Sequence, residues 1–132
     1  MRNGAGQTVK LCNQVICGLT ILAAAEGIML GRKTGLYLDK MLDVVTAGLA
    51  GSNILSQLGP KMVAGDLEPG FMVDLQQKDL RLALNIAEEI DVSLPGTALV
   101  KQLFCVAQAE GKGRKGTQSM IKVLEKLAGA RG

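Results

Sequence analysis

Residues 15–25 read VICGLTILAAA, and no charged side chain falls anywhere between 11 and 25. Apolar periodicity sets this run in the middle of one long helix over 5–33, ending near Gly35. A helix that is apolar all round must be covered on every side, by its own fold or by a partner. Other helices therefore have to wrap around the first one. The uncharged run contains Asn13 and Gln14, so it is expected to be too short and too polar for a membrane span.

The rest of the chain supplies such helices and no strand, because no stretch alternates with period 2 between turns. Asp39 is a candidate cap for a second helix, with Met41, Leu42, Val45 and Leu49 inward. GLAGS (48–52) reads as a turn. Ser52 can cap a third helix carrying Ile54, Leu55 and Leu58, which Pro60 is expected to break or restart. AGDLEPGF (64–71) is a loop by its Gly, Asp and Pro content. The stretch 73–90 is strongly amphipathic. Leu80, Ala83, Leu84, Ala87 and Ile90 fall on one side, with Asp74, Lys78, Arg81, Asn85 and Glu88 opposite. Ser93 and Pro95 start a fifth helix with Leu99, Val100, Leu103 and Val106 inward. EGKGRKG (110–116) reads as a flexible, solvated basic link. Thr117 can cap a last helix with Met120, Ile121, Leu124 and Leu127 inward. The expected fold is all-α, about six helices around a long N-terminal one, in a single domain of 132 residues.

Composition narrows the chemistry. Tyr37, Phe71 and Phe104 are the only aromatics, so the core is built from Leu, Val, Ile, Met and Ala. A net charge of +3, without clustered basic residues or stacking platforms, argues against a nucleic-acid partner. The absence of histidine removes His-based triads and nearly all zinc sites, and no metal site is expected. Cys12, Cys17 and Cys105 read as buried, inert thiols in a reducing cytoplasm. Met1-Arg2-Asn3 runs straight into glycines, so no secretory leader is expected.

The stretch GAGQTVKLCNQ (4–14) begins like a dinucleotide-binding loop. Val9 stands where that fingerprint needs its third glycine, and the strand that should precede it is missing. The glycines are better suited to turning the chain into a helix N-terminus. Lys10, Asn13 and Gln14 follow at i, i+3 and i+4, so they share a helix face that continues as Cys17, Ile21, Ala24 and Ile28. By spacing alone, two readings stand. The trio is either a solvated helix end or a set of partly buried polar groups that a substrate would pair.

GAGQTVKLCNQ, AEGIMLGRKTGL (25–36), GLAGSNIL (48–55), PGFMVDLQQKDLRLAL (69–84) and LPGTALV (94–100) occur in this order. Together they resemble the C-terminal domain of the β-hydroxyacid dehydrogenase family. That family includes the 3-hydroxyisobutyrate dehydrogenase and tartronate semialdehyde (2-hydroxy-3-oxopropionate) reductase types, with 6-phosphogluconate dehydrogenase more distant. The resemblance implies an all-α domain of the 6-phosphogluconate dehydrogenase C-terminal kind. It would support catalysis and dimerisation beside an N-terminal Rossmann domain that binds most of an NAD or NADP cofactor and is not part of this sequence. It implies Lys10 as the catalytic acid/base and Asn13 or Gln14 as substrate-binding. Where many members have Asn, this chain has Gln14. The F-x-x-x-L-x-x-K-D motif gives Phe71, Leu75, Lys78 and Asp79, which makes Phe71 and Lys78 cofactor contacts by resemblance. The residue pattern alone offers Lys78 a solvated place beside Asp74 at i−4. The implied substrate is a small 3-hydroxy acid or semialdehyde, and the implied assembly is a homodimer or larger. The alternative is a free-standing helical interaction module without activity.

Overall fold

The computed structural model describes residues 4–129. Met1–Asn3, on which the expectation of no leader rests, and residues 130–132 lie outside the described residues. Gly4 takes a left-handed φ of 82°, and its carbonyl accepts the Thr8 N–H at 2.9 Å. That turn opens helix α1 (Ala5–Lys33), the 29-residue axis of the fold. At its far end Arg32 and Lys33 lie against the negative pole of the helix dipole.

Helices α3 (Asn53–Ala64), α4 (Val73–Glu89), α5 (Pro95–Ala109) and α6 (Met120–Leu127) pack on α1, while α2 (Leu38–Thr46) packs mainly on α3. A 3-10 turn (Thr117–Ser119) leads into α6. Among the described residues the architecture is all-α, as the periodicity predicts; the only bridge between extended segments joins Met72 and Gly116. Ile28, Met62, Leu80, Phe104 and Ile121 are fully buried and form the centre of the core. Gly18 lets α1 and α4 approach closely. A Cβ there would stand 3.3 Å from Gln76 Nε2 and 3.5 Å from Leu80 Cδ2.

Several local expectations are corrected. Ile16 is 65% and Leu19 38% exposed, so the apolar middle of α1 is not covered on every side by its own fold. By length and composition α1 is sufficient to cross a membrane, with an 18-residue window of mean hydropathy 1.7; half of that window is buried inside the fold. Tyr37, not Asp39, occupies the position before α2, and Asp39 sits in the first turn. The Ser52 cap is present: its Oγ accepts the Leu55 N–H at 3.0 Å, an interaction that contributes about 1 kcal/mol. Pro60 does not interrupt α3, which runs through it. The preceding residue, Gly59, has no Cβ to clash with the proline ring and packs against Leu42.

Leu49, Ile90, Leu99 and Leu127 are exposed, whereas their neighbours Leu42, Ala87, Val100 and Leu124 are buried. Each lies at a helix end or at the margin of the buried stripe. Leu94, not Ser93, precedes α5 at its first residue Pro95. Thr117 is buried at the start of the 3-10 turn and makes no side-chain cap. The basic link is not loose. Its Gly113 and Lys115 carbonyls accept the Asp74 and Val73 N–H groups at 2.8 and 2.9 Å, satisfying otherwise orphaned donors at the start of α4.

Candidate active site

The second and third turns of α1 present Lys10, Asn13 and Gln14 toward α4, which supplies Gln76 and Asp79. The arrangement is layered. Gln14 is buried. Its Nε2 donates to Gln76 Oε1 at 3.2 Å and to Asp79 Oδ2 at 3.1 Å, and its Oε1 accepts from Asn13 Nδ2 at 3.0 Å. Gln76 Nε2 returns a 2.8 Å bond to the Gln14 carbonyl. Both donors of the Gln14 side-chain amide, and one of the two acceptor sites on its oxygen, are engaged within the protein.

The two ends of this network reach solvent. The other oxygen of buried Asp79 stands 3.8 Å from Lys10 Nζ, whose side chain is 63% exposed. Asn13 is exposed, and its side-chain Oδ1 accepts no hydrogen bond among the described residues. The structure departs from both readings of the trio: Lys10 and Asn13 are solvated, whereas Gln14 is buried and paired within the fold by Asn13, Gln76 and Asp79. Chemically, an ammonium is held at the surface by a buried carboxylate, with a free amide oxygen one turn on.

From Asn13 a cleft of about 650 Å³ opens between α1, α3 and the loop ahead of α4. Ile16 and Ile21 line it from α1, Ile54 and Leu58 from α3, and Phe71 from the loop. Cys17 lines it too and is only partly buried, while Cys12 is exposed, so the expectation of three buried thiols does not hold. Burial pushes the Cys17 thiol above its ordinary pKa, more than the Asn13 hydrogen bond pulls it down. It is therefore held as a thiol, not as a nucleophilic thiolate.

Phe71 is 37% exposed at the rim of this cleft. Lys78 is exposed on α4 and has no ion-pair partner among the described residues. Asp74 is not that partner, because its Oδ1 accepts from Gln108 Nε2 at 2.8 Å. An uncommitted ammonium and an exposed aromatic ring suit a phosphorylated, ring-bearing cofactor. No cluster of His, Cys, Asp and Glu able to hold a metal occurs among the described residues.

Asp79, Gln76 and Gln77 were not legible as buried polar residues by reading α4 from its apolar half alone. The signal was available. Gln76 and Gln77 lie four and three residues before Leu80, and Asp79 lies four before Ala83, so all belong to the stripe that faces α1 and α5.

Comparison with known proteins then decides the family. Residues 4–124 match the family described as NAD-binding of NADP-dependent 3-hydroxyisobutyrate dehydrogenase. The chain belongs to this 3-hydroxyisobutyrate dehydrogenase family. An uncharacterized oxidoreductase of Synechocystis is 44% identical over 91% of this chain and 41% of its own length. The 2-hydroxy-3-oxopropionate reductase of Escherichia coli is 36% identical over 96% of this chain and 43% of its own. Among solved structures, 3-hydroxyisobutyrate dehydrogenase from Salmonella typhimurium superposes with a TM-score of 0.86 at 35% identity. That match covers 91% of this chain and 42% of the solved one. The chain spans about two fifths of the length of these relatives. These relatives are named as an oxidoreductase, a reductase and a dehydrogenase.

Proposed function

We propose that this chain is the catalytic part of an NAD(P)-dependent dehydrogenase acting on a small 3-hydroxy acid or its semialdehyde. The observation that carries this reading is Lys10, an accessible ammonium braced by the buried Asp79–Gln14–Gln76 network, about one helical turn before the cleft residues Asn13 and Gln14 on α1. In the reducing direction Lys10 Nζ donates a proton to the carbonyl oxygen as negative charge grows there. In the oxidising direction neutral Lys10 accepts the hydroxyl proton. Asp79 is the positioning residue for that nitrogen, and Gln14 fixes Asp79. Asn13, with its free side-chain oxygen, contacts the substrate, while Gln14 is committed internally.

The nicotinamide cofactor, when bound, supplies hydride to the carbonyl carbon or takes it from the alcohol carbon. Lys78 and Phe71 are the residues here that would hold it, and the rest of its site belongs to a Rossmann domain preceding this segment. Val9, Ile16 and Leu30 leave an apolar strip of α1 uncovered, which supports homodimer formation. The three free cysteines support a reducing, cytoplasmic setting. The test is nucleotide reduction at 340 nm by the complete protein, with a panel of 3-hydroxy acids and NAD or NADP. Turnover of at least one acid supports the reading, and absence of turnover with all of them contradicts it.

A further inference from the structure

Gln118 is fully buried, and its side chain reaches into the loop between α3 and α4. Its Nε2 donates to the Asp66 carbonyl at 3.0 Å and to the Glu68 carbonyl at 2.8 Å. The backbone beside it grips the same loop. Gly116 N–H donates to the Leu67 carbonyl at 2.8 Å, and Thr117 N–H to the Phe71 carbonyl at 3.0 Å. Together these bonds close 66–71 over the Gln118 amide. Within this chain Leu67 is partly buried and the rest of 66–71 is exposed, so hydrogen bonds more than apolar burial hold the loop in shape. Gly116 makes room for the amide. Its backbone angles, φ −65° and ψ 155°, are open to any residue, but a Cβ there would overlap the Gln118 amide. The glycine therefore supplies space, not conformational freedom.

We infer that Gln118 is a positioning residue for the nucleotide, acting through the loop that ends in Phe71 at the rim of the cleft. A ring held in place before binding loses less freedom on binding than one on a loose loop. Removing the Gln118 amide therefore weakens the nucleotide. It leaves the proton step alone, because the Lys10–Asp79 pair is carried by α1 and α4 and takes no bond from Gln118. This inference rests on the reading of Phe71 as a nucleotide contact.

The experiment compares the complete protein with its Gln118→Met, Gly116→Ala and Phe71→Ala variants. Methionine fills the place of Gln118 but donates no hydrogen bond at that position. Alanine at 116 displaces the amide while leaving Gln118 in the sequence. Hydrogen exchange over 64–71 reads the loop without any ligand. Fluorescence titration with NADH and with NADPH reads binding of the nucleotide, and steady-state kinetics give its KM and the kcat. Gln118→Met and Gly116→Ala are each expected to speed exchange in the loop by about tenfold or more. Each is expected to raise the Kd and KM of the nucleotide by about three- to tenfold, with kcat at saturating nucleotide within about twofold of the parent. Unchanged exchange in both variants overturns the inference. Faster exchange with an unchanged Kd, where Phe71→Ala does weaken the nucleotide, overturns it and leaves the reading of Phe71 standing. An unchanged Kd in Phe71→Ala overturns that reading and this inference with it. A kcat lowered by about tenfold or more, or failure of both variants to fold by circular dichroism, makes Gln118 a residue of the fold at large and overturns the inference too.

Discussion

Gln14 and Asp79, 65 residues apart in sequence, meet in a buried hydrogen bond of 3.1 Å between Nε2 and Oδ2. This contact ties α1 to α4 just below the exposed Lys10 ammonium. The lysine and its support thus sit on two elements that can move relative to one another only by breaking buried polar bonds.

Gln14→Ala is expected to destabilise the fold by about 1–3 kcal/mol, because Gln76 and Asp79 would each lose a buried donor. Urea unfolding of the variant measures this. A change below about 0.5 kcal/mol would mean that water replaces Gln14 freely and the network is not rigid.

A second buried carboxylate closes the opposite end of α1. Glu125 lies on α6, with Arg32 Nη1 at 2.6 Å and Lys122 Nζ at 3.3 Å. Arg32→Ala leaves Glu125 buried with one cation, and is expected to cost about 3 kcal/mol. Thermal or chemical unfolding reads the loss, and a Tm within a degree of the parent would show that Lys122 alone suffices.

The exposed pair Glu110–Lys126 gives a pH-dependent signal without a large energy. A 3.0 Å hydrogen bond from Lys126, reinforced by its charge, holds the Glu110 carboxyl below its ordinary pKa. A depressed folded pKa stabilises the fold above the ordinary carboxylate range. That contribution is lost as pH falls through the lower folded value. Lys126→Met is expected to return the Glu110 titration, followed by carboxyl NMR, upward toward the ordinary value. No movement would assign the shift to something other than Lys126.

The long first helix, the Ser52 cap and the Lys10–Asn13–Gln14 face were legible in the sequence, because each depends on local spacing. The division of labour inside that face was not. Lys10 and Gln14 lie one turn apart, and only the crossing of α4 over α1 at Gly18 decides that Gln14 is buried and Lys10 is not. Leu99 and Leu127 illustrate the same limit. They are expected inward together with Val100 and Leu124, but tertiary packing covers only those two and leaves Leu99 and Leu127 exposed. The basic link 110–116 read as loose because its bonds run through backbone carbonyls to α4, and composition does not encode those.

Lys10 is the proton donor and acceptor of the proposed reaction. The most direct measurement is kcat of the complete protein carrying Lys10→Ala, with circular dichroism confirming an unchanged fold. Lys10 is largely exposed and its one ion pair is long, so the fold should survive the substitution. Loss of the proton donor is expected to lower kcat by about 10²–10⁴-fold. A kcat within about threefold of the parent, in a folded variant, would contradict the central claim.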